Sequence, residues 1–290
     1  MKEFKLTTMA LLIGSLLMTN NVNAKIYDED DGIITGSGAL VAGGSYKIIS
    51  VAGEDNTLFV ENNGAITVTA PAGTPIVSGM GEFEDGDFSL ASGAVFVANS
   101  GTINLGSGST INQLVGDYIP GTVEGRPDLA LDNDYHTMFA VGILNVGGSS
   151  DAYLAKKGAI IADDLTINIS HKRENKDIMG IYADKNNGVI TLTGDTTVNA
   201  TITGAKGHIF GIYAKEGTLI NAENLIVNNK STEYSVGIVS ESTNSTHRSL
   251  IRYQNATVKS VADEFADGIN ANAGYIEAFG DTAVRSEEHT

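Results

Sequence analysis

A Gly-Ile step recurs through the second half of this chain, and it constrains the fold more than any other feature. It appears as Gly142-Ile143-Leu144, Gly180-Ile181-Tyr182-Ala183, Gly211-Ile212-Tyr213-Ala214, Gly237-Ile238-Val239 and Gly268-Ile269-Asn270, with spacings of 38, 31, 26 and 31 residues. In most units a second short strand follows another glycine, as in Gly158-Ala159-Ile160-Ile161, Gly188-Val189-Ile190-Thr191-Leu192, Gly217-Thr218-Leu219-Ile220 and Gly274-Tyr275-Ile276. A third comes next, as in Leu165–Ile169, Thr197–Ile202, Leu225–Asn228, Ala256–Lys259 and Thr282–Val284. The unit is therefore three short strands joined by turns. The first half repeats more loosely. Phe59–Val68 matches Phe96–Leu105 at a shift of 37 residues, which points to one continuous array.

A strand of four or five residues that alternates apolar and polar positions has one face to bury, and cannot bury it alone. Equivalent strands from successive units can stack in parallel at about 4.8 Å and close a shared interior. The expected fold is all-β, a right-handed parallel β-helix, with Ile143, Ile181, Ile212, Ile238 and Ile269 as one inward ladder. Uneven spacing fits, because insertions can loop out at a corner without disturbing the stack. A β-sandwich of hairpins is the main rival, and Asn63-Gly64 and Asn187-Gly188 are turns of hairpin type. Hairpins do not account for a three-strand repeat. A propeller blade of four strands needs a longer unit, about 40 to 45 residues.

The N-terminus speaks to compartment. Lys2 and Lys5 precede an apolar stretch from Met9 to Met18, and Val22-Asn23-Ala24 carries small or modest residues where a signal peptidase reads. This is the order of a secretory signal, with cleavage expected after Ala24. The stretch is too short to span a bilayer, which takes about 20 apolar residues. The expected organisation is a signal peptide over 1–24, the irregular N-terminal part of the β-helix over 25–141 and the repeat array over 142–284. At Arg285-Ser286-Glu287-Glu288-His289-Thr290 the strand pattern breaks. Those six residues match the in-frame translation of a common sequencing-adapter sequence. Residues 285–290 are therefore expected to be an artefact, with the natural chain continuing past Val284.

Composition narrows the function. The chain has no cysteine, so no disulfide staples it, and a formal charge of −17, which repels nucleic acid and anionic lipid. Its 34 glycines and only 4 prolines suit short strands between tight turns. His136, His171, His208, His247 and His289 lack a partner at metal spacing. The acidic runs Asp28-Glu29-Asp30-Asp31 and Glu82-Phe83-Glu84-Asp85-Gly86-Asp87 could offer oxygens to Ca²⁺, but neither has the spacing of a calcium loop, and they read as solvated loops. Asp163 and Asp164 are adjacent and read as a turn before Leu165–Ile169. No catalytic, cofactor-binding or metal-ligating residue is assigned, and no cofactor is expected.

A secretory signal, irregular Gly/Asn/Thr-rich β repeats, no cysteine and an acidic surface resemble the passenger region of autotransporters, the type V secretion family. The resemblance is one of pattern over nearly the whole chain. It implies an outer-membrane translocator barrel of about a dozen strands in a C-terminal part not contained in these residues. It also implies display at the cell surface or release outside the cell. Some members are serine proteases with a Gly-Asp-Ser-Gly motif. The steps Gly86-Asp87, Gly116-Asp117, Gly194-Asp195 and Gly280-Asp281 lack the following Ser-Gly. The function expected is adhesion to, or binding of, a surface ligand, protein or glycan, through exposed side-chain ladders such as Tyr182 and Tyr213. A secreted polysaccharide-active β-helix enzyme and a structural stalk remain the alternatives.

Overall fold

The computed structural model describes residues 33–35, 38–40, 45–46, 48–53, 57–60, 65–70, 76–78, 89–91, 95–99, 102–114, 137–146, 158–172, 176–184, 188–243 and 246–288. The expected signal segment 1–24, both acidic runs, His136 and His289 lie outside them. Among the described residues there is no helix, and every strand pairing is parallel except the hairpin Ile76–Ser78 with Ser89–Ala91. The fold is a parallel β-helix.

Each coil contributes one strand to a first sheet of eight, which ends with Thr137–Val146, Lys176–Asp184, His208–Lys215, Tyr234–Glu241 and Phe265–Asn272. The chain then turns a corner onto a second face and a third. In the earlier coils these are separate strands, as in Ala159–Ala162 and Leu165–His171. In the next three coils they fuse into Val189–Ile202, Leu219–Lys230 and Leu250–Ala262, and in the last they are separate again as Tyr275–Ala278 and Thr282–Glu288. The three strands read from the sequence thus become two in the fused coils, with a register shift between Leu192 and Asp195 marking the corner. Gly194, Glu223 and Gln254 occupy that corner in successive coils, and strand pairing resumes beyond it.

Three aliphatic columns fill the interior, one per face. On the first face the register aligns Ile143, Ile181, Ile212, Ile238 and Ile269, the column expected from the Gly-Ile steps. It extends back to Val95, and the backbone register continues from there to Ile49. The second face stacks Ile103, Ile160, Ile190, Ile220 and Ile251. The third stacks Ile111, Ile167, Val198, Val227 and Val258. From Val95 onward on the first face, and throughout the other two columns, all of these except the terminal Ile269 are buried in one core. Each such side chain stabilises the fold by about 1.5–3 kcal/mol relative to exposure.

The glycines of the Gly-Ile steps are dictated by this packing. A Cβ on Gly180 would overlap Val198, one on Gly211 would overlap Val227, and one on Gly237 would overlap Val258. Each would also press on the carbonyl of the glycine in the next coil. Successive glycines therefore form a ladder where the first strand runs against the third-face column. Pairing skips the glycine in every rung.

Polar ladders hold the outside. Asn168 donates to Asn112, Asn199 to Asn168 and Asn228 to Asn199, each at 2.9 Å. A second ladder runs along the corner between the second and third faces. Ser107 and the Asp195 backbone N–H donate to Asp164, Asn224 donates to Asp195, and Asn255 donates to Asn224. Asp164 sits there with φ 46°, so the Asp163-Asp164 turn is in place. Its carboxyl is held below its ordinary range, first by the Ser107 hydroxyl and then by the Asp195 amide.

Two details differ from the sequence reading. Phe59 and Phe96 are not equivalent: Phe59 aligns with Asn104 on the second face, whereas Phe96 aligns with Ser50 and Leu144 on the first. All three faces bury aliphatic residues of short strands, so a short self-match can join strands from different faces. The sequence break at Arg285 is also not a break in pairing. Thr282–Glu288 runs in register along Ala256–Ala262, with Arg285 ion-paired to Glu287.

Candidate functional site

The outer side of the first sheet departs from an ordinary solvated face. At each Gly-Ile step two successive residues lie toward the core. The outward positions therefore fall immediately before the glycine and two after it. They are Val141 and Leu144, Met179 and Tyr182, Phe210 and Tyr213, Val236 and Val239, then Asp267 and Asn270. The first four pairs join a second apolar cluster, distinct from the core, with Tyr234 packed against it. Parallel strands that are apolar on both sides are strands covered on both sides. Along the stack this face changes from fully buried, at Val141 and Leu144, to polar, at Asp267 and Asn270.

Where it changes there is a hollow of ≈ 340 Å³, lined by His208, Phe210, Tyr213, Tyr234, Val236, Val239, Glu241, Asn270 and Asn272. Its rings touch one another. Phe210 lies 5.2 Å from Tyr213 and 5.9 Å from Tyr234, centroid to centroid, and Tyr234 stacks on Phe265 at 4.7 Å. Tyr182 meets Tyr213 edge-on at 5.3 Å.

Carboxylates surround these rings. The Tyr182 hydroxyl donates to Asp184 at 2.9 Å, and the Tyr213 hydroxyl donates to Glu241. Asn270 donates to Asp267 at 3.0 Å. His208 stands between Asp177 and Glu233, each 3.8 Å from a ring nitrogen, and its backbone N–H donates to Asp177 at 3.0 Å. The phenols register this field. Burial pushes the Tyr182 phenol well above its ordinary range, and Asp184 pushes it further. Tyr213 is raised by burial and then by its bond to Glu241. Tyr234 is raised by burial and then by Asp267 and Glu241. In each case the neutral phenol is favoured, because the phenolate would be poorly solvated and close to negative charge.

A second hollow, of ≈ 520 Å³, lies on the second face between Leu192, Arg252, Tyr253 and Phe279. Its lining cation is taken up, with Arg252 donating to Glu277 at 2.7 Å, and among the described residues its aromatic side chains, Tyr253 and Phe279, make no ring contact with one another as those of the first hollow do. The first hollow is the candidate site.

Tyr182 and Tyr213 stack in adjacent rungs as read from the sequence, but they are not an exposed ladder. They are 5% and 9% exposed, because apolar neighbours crowd the outer face. His171 is buried on the third face beside Ile202, and His247 sits in a corner turn with its ring 3.0 Å from the Thr246 hydroxyl. Gly194-Asp195 and Gly280-Asp281 form corners: a Cβ on Gly194 would strike the Asp163 and Asp164 carboxylates, and the Asp281 backbone N–H donates to Asn255. Among the described residues no group of three His, Asp or Glu is placed to hold a metal. The sequence reading did not single out Phe210, Tyr234, Val236 or Glu241. The available signal was the unbroken apolar run around the first four Gly-Ile steps, which leaves no polar side for water.

No family model, characterised relative or solved structure matches this chain.

Proposed function

We propose that the chain is a binding passenger of an exported, surface-displayed protein, and that it recognises its ligand with the outer face of its first sheet. The β-helix is the scaffold, and the hollow around Phe210, Tyr213 and Tyr234 is the contact site. The observation that carries this reading is the second apolar cluster with its ring-lined opening. A stalk needs only the three interior columns to stand. It has no use for the partly exposed rings of Phe210 and Tyr234 outside them, and apolar surface left open at a hollow favours a ligand site. Rings beside amide and carboxylate groups suit a ligand with an apolar body and polar substituents.

The test is adhesion of the purified chain to cell surfaces and to immobilised glycans and proteins. Phe210→Ala should remove most of the binding at an unchanged circular dichroism spectrum. A wild-type chain that binds no surface, or a folded variant that binds as well as wild type, would overturn the proposal. Export has its own test: N-terminal sequencing of the exported protein should begin at Lys25, and an intact Met1 would reject the signal segment.

A further inference from the structure

Resting on the reading of this hollow as the binding site, we infer that its ligand carries an organic cation, an alkylated ammonium group that seats against Phe210, Tyr213 and Tyr234 beside Glu241. Three aromatic side chains line the opening, and aromatic faces attract cations through their quadrupole. The surrounding formal charge has the complementary sign. Glu241 lines the hollow, Asp267 is bonded to its lining residue Asn270, and Asp177 and Glu233 flank His208. Asp184 and Glu241 both act on the Tyr213 phenol, and Asp267 and Glu241 on that of Tyr234. Against these carboxylates stand His208, held between two of them, and Lys215, which shares a rung with Glu241.

This balance selects among ligand classes. An anionic ligand would meet the carboxylates at close range. A hard metal ion needs about six or more oxygen ligands, and this opening is walled mainly by carbon. A bare ammonium must keep hydrogen-bond acceptors around it. An alkylated one gives up little hydration, takes dispersion contact from the rings, and keeps its charge for Glu241. The group could come from a choline-type headgroup or from a methylated lysine side chain.

The experiment titrates the full chain with choline, with a trimethyllysine peptide, and with the uncharged carbon isostere of each, followed by NMR of labelled Phe and Tyr. At least one cation should bind about tenfold or more tightly than its isostere, the scale expected of a cation partly desolvated on aromatic faces. The tighter of the two identifies the source. Glu241→Gln should weaken the cation severalfold and leave the isostere unchanged, and Phe210→Leu should weaken both. Equal affinity for cation and isostere overturns the inference, as does a Glu241→Gln variant that binds the cation as wild type does. If neither cation binds while Phe210-dependent adhesion persists, the cation is wrong and the binding site stands. If Phe210-dependent adhesion is also absent, both readings fail.

Discussion

Replacing Gly211 with alanine tests whether the glycine ladder is a packing requirement. The added methyl would overlap Val227 on the third face and come within 2.6 Å of the Gly237 carbonyl and 3.1 Å of Asn229 Nδ2. Overpacking of a close-packed core costs about 1–3 kcal/mol, and here a backbone carbonyl must yield as well, which places the cost at about 3 kcal/mol. Against this, alanine stabilises by about 0.4–1 kcal/mol by restricting the unfolded chain. The clash wins, and a net loss of about 2 kcal/mol is expected. Gly204→Ala is the control. Gly204 has φ +69° and open space around it, so only left-handed strain of about 1 kcal/mol applies. Val227→Ala alone removes about two methylenes' worth of burial, about 1.6 kcal/mol plus a cavity contribution. Combined with Gly211→Ala it should cost at least about 1 kcal/mol less than the sum of the two singles. The Gly237 carbonyl contact remains, so rescue is partial. The assay is denaturant unfolding with hydrogen exchange, because a solenoid can unfold locally and violate two-state behaviour. If Gly211→Ala is no more costly than Gly204→Ala, and additive with Val227→Ala, close approach is not the reason for these glycines.

Ile212→Asp places a charge in the first-face column, where Ile212 is fully buried, and should destabilise by about 4 kcal/mol or more; an unchanged melting temperature would show the inward face to be misassigned. The phenols make stability fall at alkaline pH. In the unfolded chain Tyr213 ionises near its ordinary 10.0, while in the fold it stays neutral. Above pH 10 the native state therefore holds more protons than the unfolded state, and stability drops as pH rises. Tyr213→Phe should flatten this slope, measured by denaturation over the alkaline range, and an unaltered slope would contradict the placement of Tyr213 beside Glu241. Asn199→Ala breaks two outward ladder bonds at partly solvated positions, for an expected loss of about 1 kcal/mol by thermal denaturation; a loss near zero would mean that water replaces the ladder fully.

The interior was legible because its requirement is local. Whatever strand lies beside it, an inward position must be aliphatic, so alternation around Ile190 and Val198 and the recurring Gly-Ile step at Ile181 mark three buried faces, and recurrence of the unit implies stacking. The Gly-Ile step was visible too, although its cause was not. Only the distance of closest approach between Gly211 and Val227, which are 16 residues apart in the chain, explains why a side chain is excluded there.

The site was not legible in the same way. Tyr213 and Glu241 are separated by 28 residues and meet because Lys215 and Glu241 occupy one rung. Phe210 and Tyr234 belong to different Gly-Ile units and meet because His208 and Tyr234 share another. The mismatch of Phe59 with Phe96 has the same origin, since short apolar stretches recur on every face and only backbone pairing says which face a strand occupies. The amino-acid sequence alone determined that the chain stacks short strands in parallel around aliphatic columns. Tertiary structure decided which residues share a rung, and therefore that rings and carboxylates converge on one outward face. The physical reason is that burial is encoded by each residue's own alternation, whereas a surface site depends on register between coils.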